Sequence, residues 1–73
     1  MSITFTRHAL DRMRQRQVTH EEVLEALQRP DVTTKRFGKF SVRKSVAHGT
    51  FEVCCERETG KETHIKVITV YWV

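Results

Sequence analysis

The sequence predicts an α+β domain in which two N-terminal helices precede a roughly four-stranded antiparallel sheet. Residues 6–27 place apolar side chains at helical spacing, and residues 32–73 switch to the alternating period of strands. The links between the expected strands are short, which suits antiparallel neighbours because parallel ones need crossovers of a dozen or more residues. Seventy-three residues make a single domain, residues 1–73, near the size at which one core barely outweighs chain entropy.

The elements follow in order. "SITFT" reads as a short extended lead, with Thr6 as N-cap of a helix running to about Gln17. Ala9, Leu10 and Met13 give that helix a narrow apolar stripe, and its arginine-rich remainder faces away. Thr19 with Glu22 three residues on is a capping box, and Glu21 and Glu22 suit the positive end of the helix dipole. Val23, Leu24, Ala26 and Leu27 form the buried face, and Pro30 stops the helix. The strands are "VTTKRF" closed by Gly38, "KFSVRKSVAH" closed by Gly49, "TFEVCCERE" closed by "TGK", and "ETHIKVITVYWV".

Strand faces follow from parity. Phe40, Val42 and Val46 oppose Ser41, Arg43 and Ser45, with Lys44 interrupting the apolar set; Phe51, Val53 and Cys55 oppose Glu52, Cys54 and Glu56. The last strand breaks the alternation: Ile65 and Val67 share one parity, Ile68, Val70 and Trp72 the other. Either it is covered on both faces or a bulge near Val67 and Ile68 switches its register.

Composition narrows the function classes. No run reaches the length of a membrane span and no signal peptide opens the chain, so a cytoplasmic protein away from membranes is expected. Adjacent Cys54 and Cys55 point to opposite faces of a strand, which argues against a disulfide between them. Two thiols without a second pair make a poor zinc site even with His48 and His64 nearby, so no metal is expected. There is no nucleotide-binding glycine loop and no serine at a strand-to-helix turn, hence no expected cofactor. The net charge of +4 suits a phosphate-bearing partner, and an acidic protein equally.

Two clusters carry candidate chemistry. His8, Arg12 and Arg16, four apart, project along one helix edge; an imidazole beside guanidinium groups can bind and process a phosphodiester, or can simply be a solvated face. On the polar face of the sheet, Arg43 and Ser45 meet Glu52 and Glu56 if the hairpin closes at "HG". Here Glu52 would be a general base and Arg43 a phosphate clamp, joined by Lys66, Thr69 and Tyr71; plain charge pairing is the other reading. His20, His48 and His64 read as ordinary exposed residues at element ends.

"FTRHALDRMRQRQVTHEEVLEALQRPD" with the closing "IKVITVYW" resembles the bacterial domain-of-unknown-function family numbered forty-two fifty-eight. The matching residues are Phe5, Thr6, His8, Ala9, Arg12, Arg16, the helix around Glu22 to Leu27, and Val70 to Trp72. The resemblance implies a fold similar to the RelE and BrnT type ribonuclease toxins, which cut RNA by setting the ribose 2′-hydroxyl against the adjacent phosphate without a metal. Only His8, Arg12 and Arg16 come over on the motif; Arg43, Glu52, Lys66 and Tyr71 rest on the strand reading.

The leading expectation is therefore a metal-independent endoribonuclease, the toxin of a toxin–antitoxin pair. His8, Arg12, Glu52 and Tyr71 would be catalytic, and Arg16, Arg43 and Lys66 would bind RNA. The alternative is a non-catalytic module binding RNA or a protein on the same basic face. A third reading makes the "HALDRMRQR" face structural, with Arg12 holding the first helix to the sheet. RNA and an antitoxin protein are the expected partners, and the apolar final strand suggests a homodimer or partner capture at a sheet edge.

Overall fold

Thr6 organises the start of the chain in this computed structural model, which describes residues 2–57 and 64–73. Its Oγ1 accepts from the Ala9 N–H at 3.0 Å, capping helix α1 (Arg7–Arg16). The same hydroxyl donates to the Ile68 carbonyl at 3.1 Å, and the Thr6 N–H donates to Val67 O at 3.1 Å. One residue thus starts a helix and fastens it to the last strand. Gln17 closes α1 in the left-handed region at φ 56°. Helix α2 (His20–Gln28) opens on the expected capping box: Glu22 N–H donates to Thr19 Oγ1 at 3.1 Å and Thr19 N–H to Glu22 Oε1 at 2.9 Å.

The sheet corrects the expected architecture. The extended lead is a strand, β1 (Ser2–Phe5), and it pairs in parallel with the last strand, from Ser2↔His64 to Phe5↔Val67. With β2 (Val32–Arg36), β3 (Lys39–Val46), β4 (Gly49–Arg57) and β5 (His64–Trp72) it forms a five-stranded mixed sheet of order β1-β5-β4-β3-β2. This replaces the helices-then-four-stranded antiparallel sheet, and with it the toxin-like fold that the resemblance implied. Short links report only on pairing between sequence neighbours. They carry no information about β1 and β5, whose partners lie about sixty residues apart.

The antiparallel part β2 to β5 forms as the strand periods predict. Strand β3 stops at Val46, because Val46 pairs with Gly49 and leaves Ala47 and His48 as the turn. The turn expected at Thr59, Gly60 and Lys61, and the last strand's start at Glu62 and Thr63, lie outside the described residues. The broken alternation of the last strand is a bulge: Cys54 pairs with Thr69 and Cys55 with Val67, so Ile68 is the extra residue. Its carbonyl is the one that Thr6 satisfies. The bulge puts Ile65, Val67 and Val70 into one core despite their mixed parity.

Both helices contribute to that core. Ala9, Met13, Val18, Val23 and Ala26 pack with Val42, Phe51, Val53, Cys55, Ile65, Val67 and Val70. Leu10 and Leu24, expected in the buried stripes, lie at their margins and remain exposed. Trp72 stands edge-on to Phe51 at 5.7 Å and donates from Nε1 to Arg16 O at 2.8 Å. Lys44 interrupts the apolar parity because its Nζ donates to the Arg29 carbonyl at 2.9 Å, placing a cation at the negative end of α2. The helices cover one face of the sheet, and among the described residues no element covers the other. β5 is an interior strand, so the apolar last strand is not an edge open to a partner; the edges are β1 and β2, and every residue of β2 is exposed. No helix among the described residues is long and apolar enough to cross a membrane.

Candidate functional site

The uncovered face collects the residues that alternate away from the core: Ser41 and Arg43 of β3, Glu52 and Cys54 of β4, and Thr69 and Tyr71 of β5. The register sets Arg43 opposite Glu52 and Glu52 opposite Tyr71, three side chains in a row across three strands. Arg43 Nε donates to Glu52 Oε1 at 2.7 Å, and the Tyr71 hydroxyl donates to Glu52 Oε2. The Cys54 thiol lies 3.8 Å from the same Oε2. The arginine and glutamate that strand parity paired are therefore in contact, and the tyrosine joins them.

Glu52 is only 9% exposed although no helix lies over it. Neighbouring side chains on the same face bury it. That burial, the largest single influence, pushes its carboxyl pKa up; hydrogen bonds from Tyr71, Arg43 and Ser41 and the charge of Arg43 outweigh it, so the group is held below its ordinary value. The partners respond in kind. The bond to Glu52 raises Arg43, and the same carboxylate, with burial second, pushes Tyr71 up to about 12. Burial first and the Glu52 charge second raise the Cys54 thiol, which disfavours a reactive thiolate. At neutral pH the cluster is a carboxylate, a guanidinium, a phenol and a thiol, each firmly in one protonation state.

Beside this row runs a groove of about 350 Å³, lined among others by Arg36, Lys39, Ser41, Cys54 and Ile68. Ser41 was not singled out among the candidate residues. Its parity with Arg43 is the signal that places it, since both lie on the uncovered face and both act on Glu52. Lys66 lies on this face too, opposite Glu56 and one strand from Thr4, at the end of β5 away from Tyr71.

The helix cluster is elsewhere. Arg16 turns inward, and its Nη1 donates to Val70 O at 2.7 Å, so with the Trp72 bond it ties α1 to β5. Arg12 donates to Gln15 Oε1 at 2.7 Å within its own helix rather than reaching an acidic group of the sheet. His8 is exposed in the first turn of α1, on the helix side of the sheet. The sheet stands between these three and Glu52, so the helix candidates are separate from the Arg43–Glu52–Tyr71 row, and Lys66 lies apart from that row at the other end of β5. Among the described residues, no three His, Cys, Asp or Glu side chains are grouped closely enough to hold a metal ion.

No curated protein and no solved structure matches this chain. The family described as Domain of unknown function (DUF4258) matches residues 5–72, from the end of β1 through the end of β5, and the chain belongs to that family.

Proposed function

We propose that this protein binds RNA on the uncovered face of its sheet, with Arg43 as the principal phosphate contact. The observation that carries the proposal is the way Arg43 is held. Its Nε is fixed to Glu52, while half of the side chain remains exposed and its two terminal nitrogens have no hydrogen-bond partner among the described residues. Those two donors form a pre-oriented fork that matches phosphate oxygens. Glu52 is then an anchor, itself held by Tyr71, and the neighbouring groove adds Arg36 and Lys39 further along the same face, within reach of the next phosphates of one strand. Free thiols at Cys54 and Cys55 suit the reducing cytoplasm, where RNA is abundant.

The test is binding of a fluorescent single-stranded oligoribonucleotide over a range of salt. Arg43→Gln is expected to weaken binding across sequences and to lower the slope of log affinity against log salt by about 1. Unchanged affinity and slope would reject Arg43 as the contact.

Metal-independent cleavage at the same row is the second reading. It is favoured by the meeting of a carboxylate, a guanidinium and a phenol within hydrogen-bonding reach, the group types that deprotonate a 2′-hydroxyl, stabilise the phosphorane charge and protonate a leaving oxygen. Binding is preferred because both Glu52 oxygens are engaged and neither Glu52 nor Tyr71 titrates near neutrality. The cleavage reading predicts RNA fragments in the presence of a chelator, lost in Glu52→Gln and retained in His8→Ala. A toxin role adds growth arrest on expression, relieved by the same Glu52→Gln. Intact RNA under those conditions rejects both.

A further inference from the structure

The β2–β3 hairpin turns on Phe37 and Gly38, both at positive φ (48° and 78°), between the paired residues Arg36 and Lys39. Two central residues at positive φ are the hallmark of the type I′ turn, whose first position favours Asn or Gly. Phenylalanine there carries backbone strain, and its ring returns no packing energy, being 98% exposed. Stability therefore does not account for it.

The surroundings are basic. Lys35, Arg36 and Lys39 flank the ring in sequence, and Arg57 lies 4.8 Å above the neighbouring Phe40 ring. Phe37 lines a pocket of about 280 Å³, and three of that pocket's other residues, Arg36, Lys39 and Phe40, also line the 350 Å³ groove that runs past Ser41 and Cys54. Arg36 and Lys39 share the uncovered face with Arg43 and link the hairpin tip to it, whereas Lys35, Phe40 and Arg57 lie on the helix side of the sheet. At strand rise, Lys39 and Arg43 are about 14 Å apart along β3, a span of a few nucleotides.

We infer that Phe37 is a base-stacking platform, and that the RNA recognised on this face is single-stranded, its backbone running from the Phe37 tip past Arg36 and Lys39 to Arg43. The inference rests on the RNA-binding reading above and specifies its substrate class. An exposed ring among cations offers a stacking surface to any unpaired base, whereas bases in a duplex are already stacked on one another. A tip so placed extends the phosphate-binding row into a track with an aromatic end.

The experiment uses the whole protein, a short oligouridylate, and an RNA duplex of matched length. Phe37→Asn removes the ring and installs a residue that suits positive φ, so it is expected to raise the melting temperature while weakening oligouridylate binding roughly 5- to 150-fold. Phe37→Trp should retain affinity. Duplex binding should be weaker in the wild type and unaffected by Phe37→Asn. Wild-type oligouridylate affinity in Phe37→Asn, with Arg43→Gln still defective, overturns the stacking platform and leaves the RNA reading standing. Equal losses for duplex and single strand also overturn it. Absence of binding to either RNA by the wild-type protein overturns both.

Discussion

Glu52 occupies the middle of a row in which each neighbour needs it ionised, and that makes its titration a direct report on the site. Its folded pKa lies below its ordinary value, so the stability it contributes is fully present above about pH 5 and is lost as pH falls through the lowered value. Glu52→Gln should flatten that part of the acid limb of a stability–pH profile; an unchanged limb would show that the row is not coupled to folding. Tyr71 has the opposite sign. Its folded pKa is raised to about 12, so its contribution is complete below its ordinary value near 10 and fades as pH rises towards 12. Tyr71 is the only tyrosine in the chain, so tyrosinate absorbance follows it alone. The midpoint is expected to fall towards 10 in Glu52→Gln, because the Glu52 hydrogen bond is the largest cause of the shift. An identical midpoint in both proteins would contradict the contact.

Among the elements, the two helix caps separate what is local from what is tertiary. Thr19 serves only α2, through its box with Glu22, and Thr19→Val should cost about 1 kcal/mol, the usual loss of a cap. Thr6 caps α1 and also satisfies the carbonyl of the bulged Ile68, so Thr6→Val should cost about 2–3 kcal/mol by urea unfolding. Equal losses at the two sites would mean that the bulge carbonyl finds another partner at no cost. Both caps were legible from residue type and spacing. The second role of Thr6 was not, since a hydroxyl bond to a residue 62 positions away leaves no local pattern. Lys44 is similar: parity showed it out of place, and its bond to the Arg29 carbonyl at the end of α2 and its ion pair with Asp31 explain why. Gly49 marks a close approach of the same non-local kind. A Cβ there would lie 3.3 Å from the Trp72 ring at a φ of 153°, so Gly49→Ala should lower the melting temperature. Unaltered melting would mean that the ring gives way freely.

For the molecule as a whole, strand parity alone placed Arg43 and Glu52 on one face, because a period of two is all such a face requires. It missed that the face is uncovered and that His8, Arg12 and Arg16 lie behind it, because helix spacing says which side chains align but not which side of a sheet receives them. The same blindness hid the parallel pairing of β1 with β5, which joins the two ends of the chain and encloses the apolar last strand. That pairing has a measurable consequence. Deleting residues 1–5 would leave Thr6 in place to cap α1 but would strip the edge of β5, exposing unpaired backbone groups beside Ile65 and Val67. An apolar strand with an open edge recruits another strand. The truncated protein is therefore expected to melt at a lower temperature and to associate in light scattering, increasingly with concentration. If its scattering mass and melting match those of the full chain, β1 is an ornament on a four-stranded domain; if it associates beyond the full chain, β1 is the strand that keeps the edge of β5 covered.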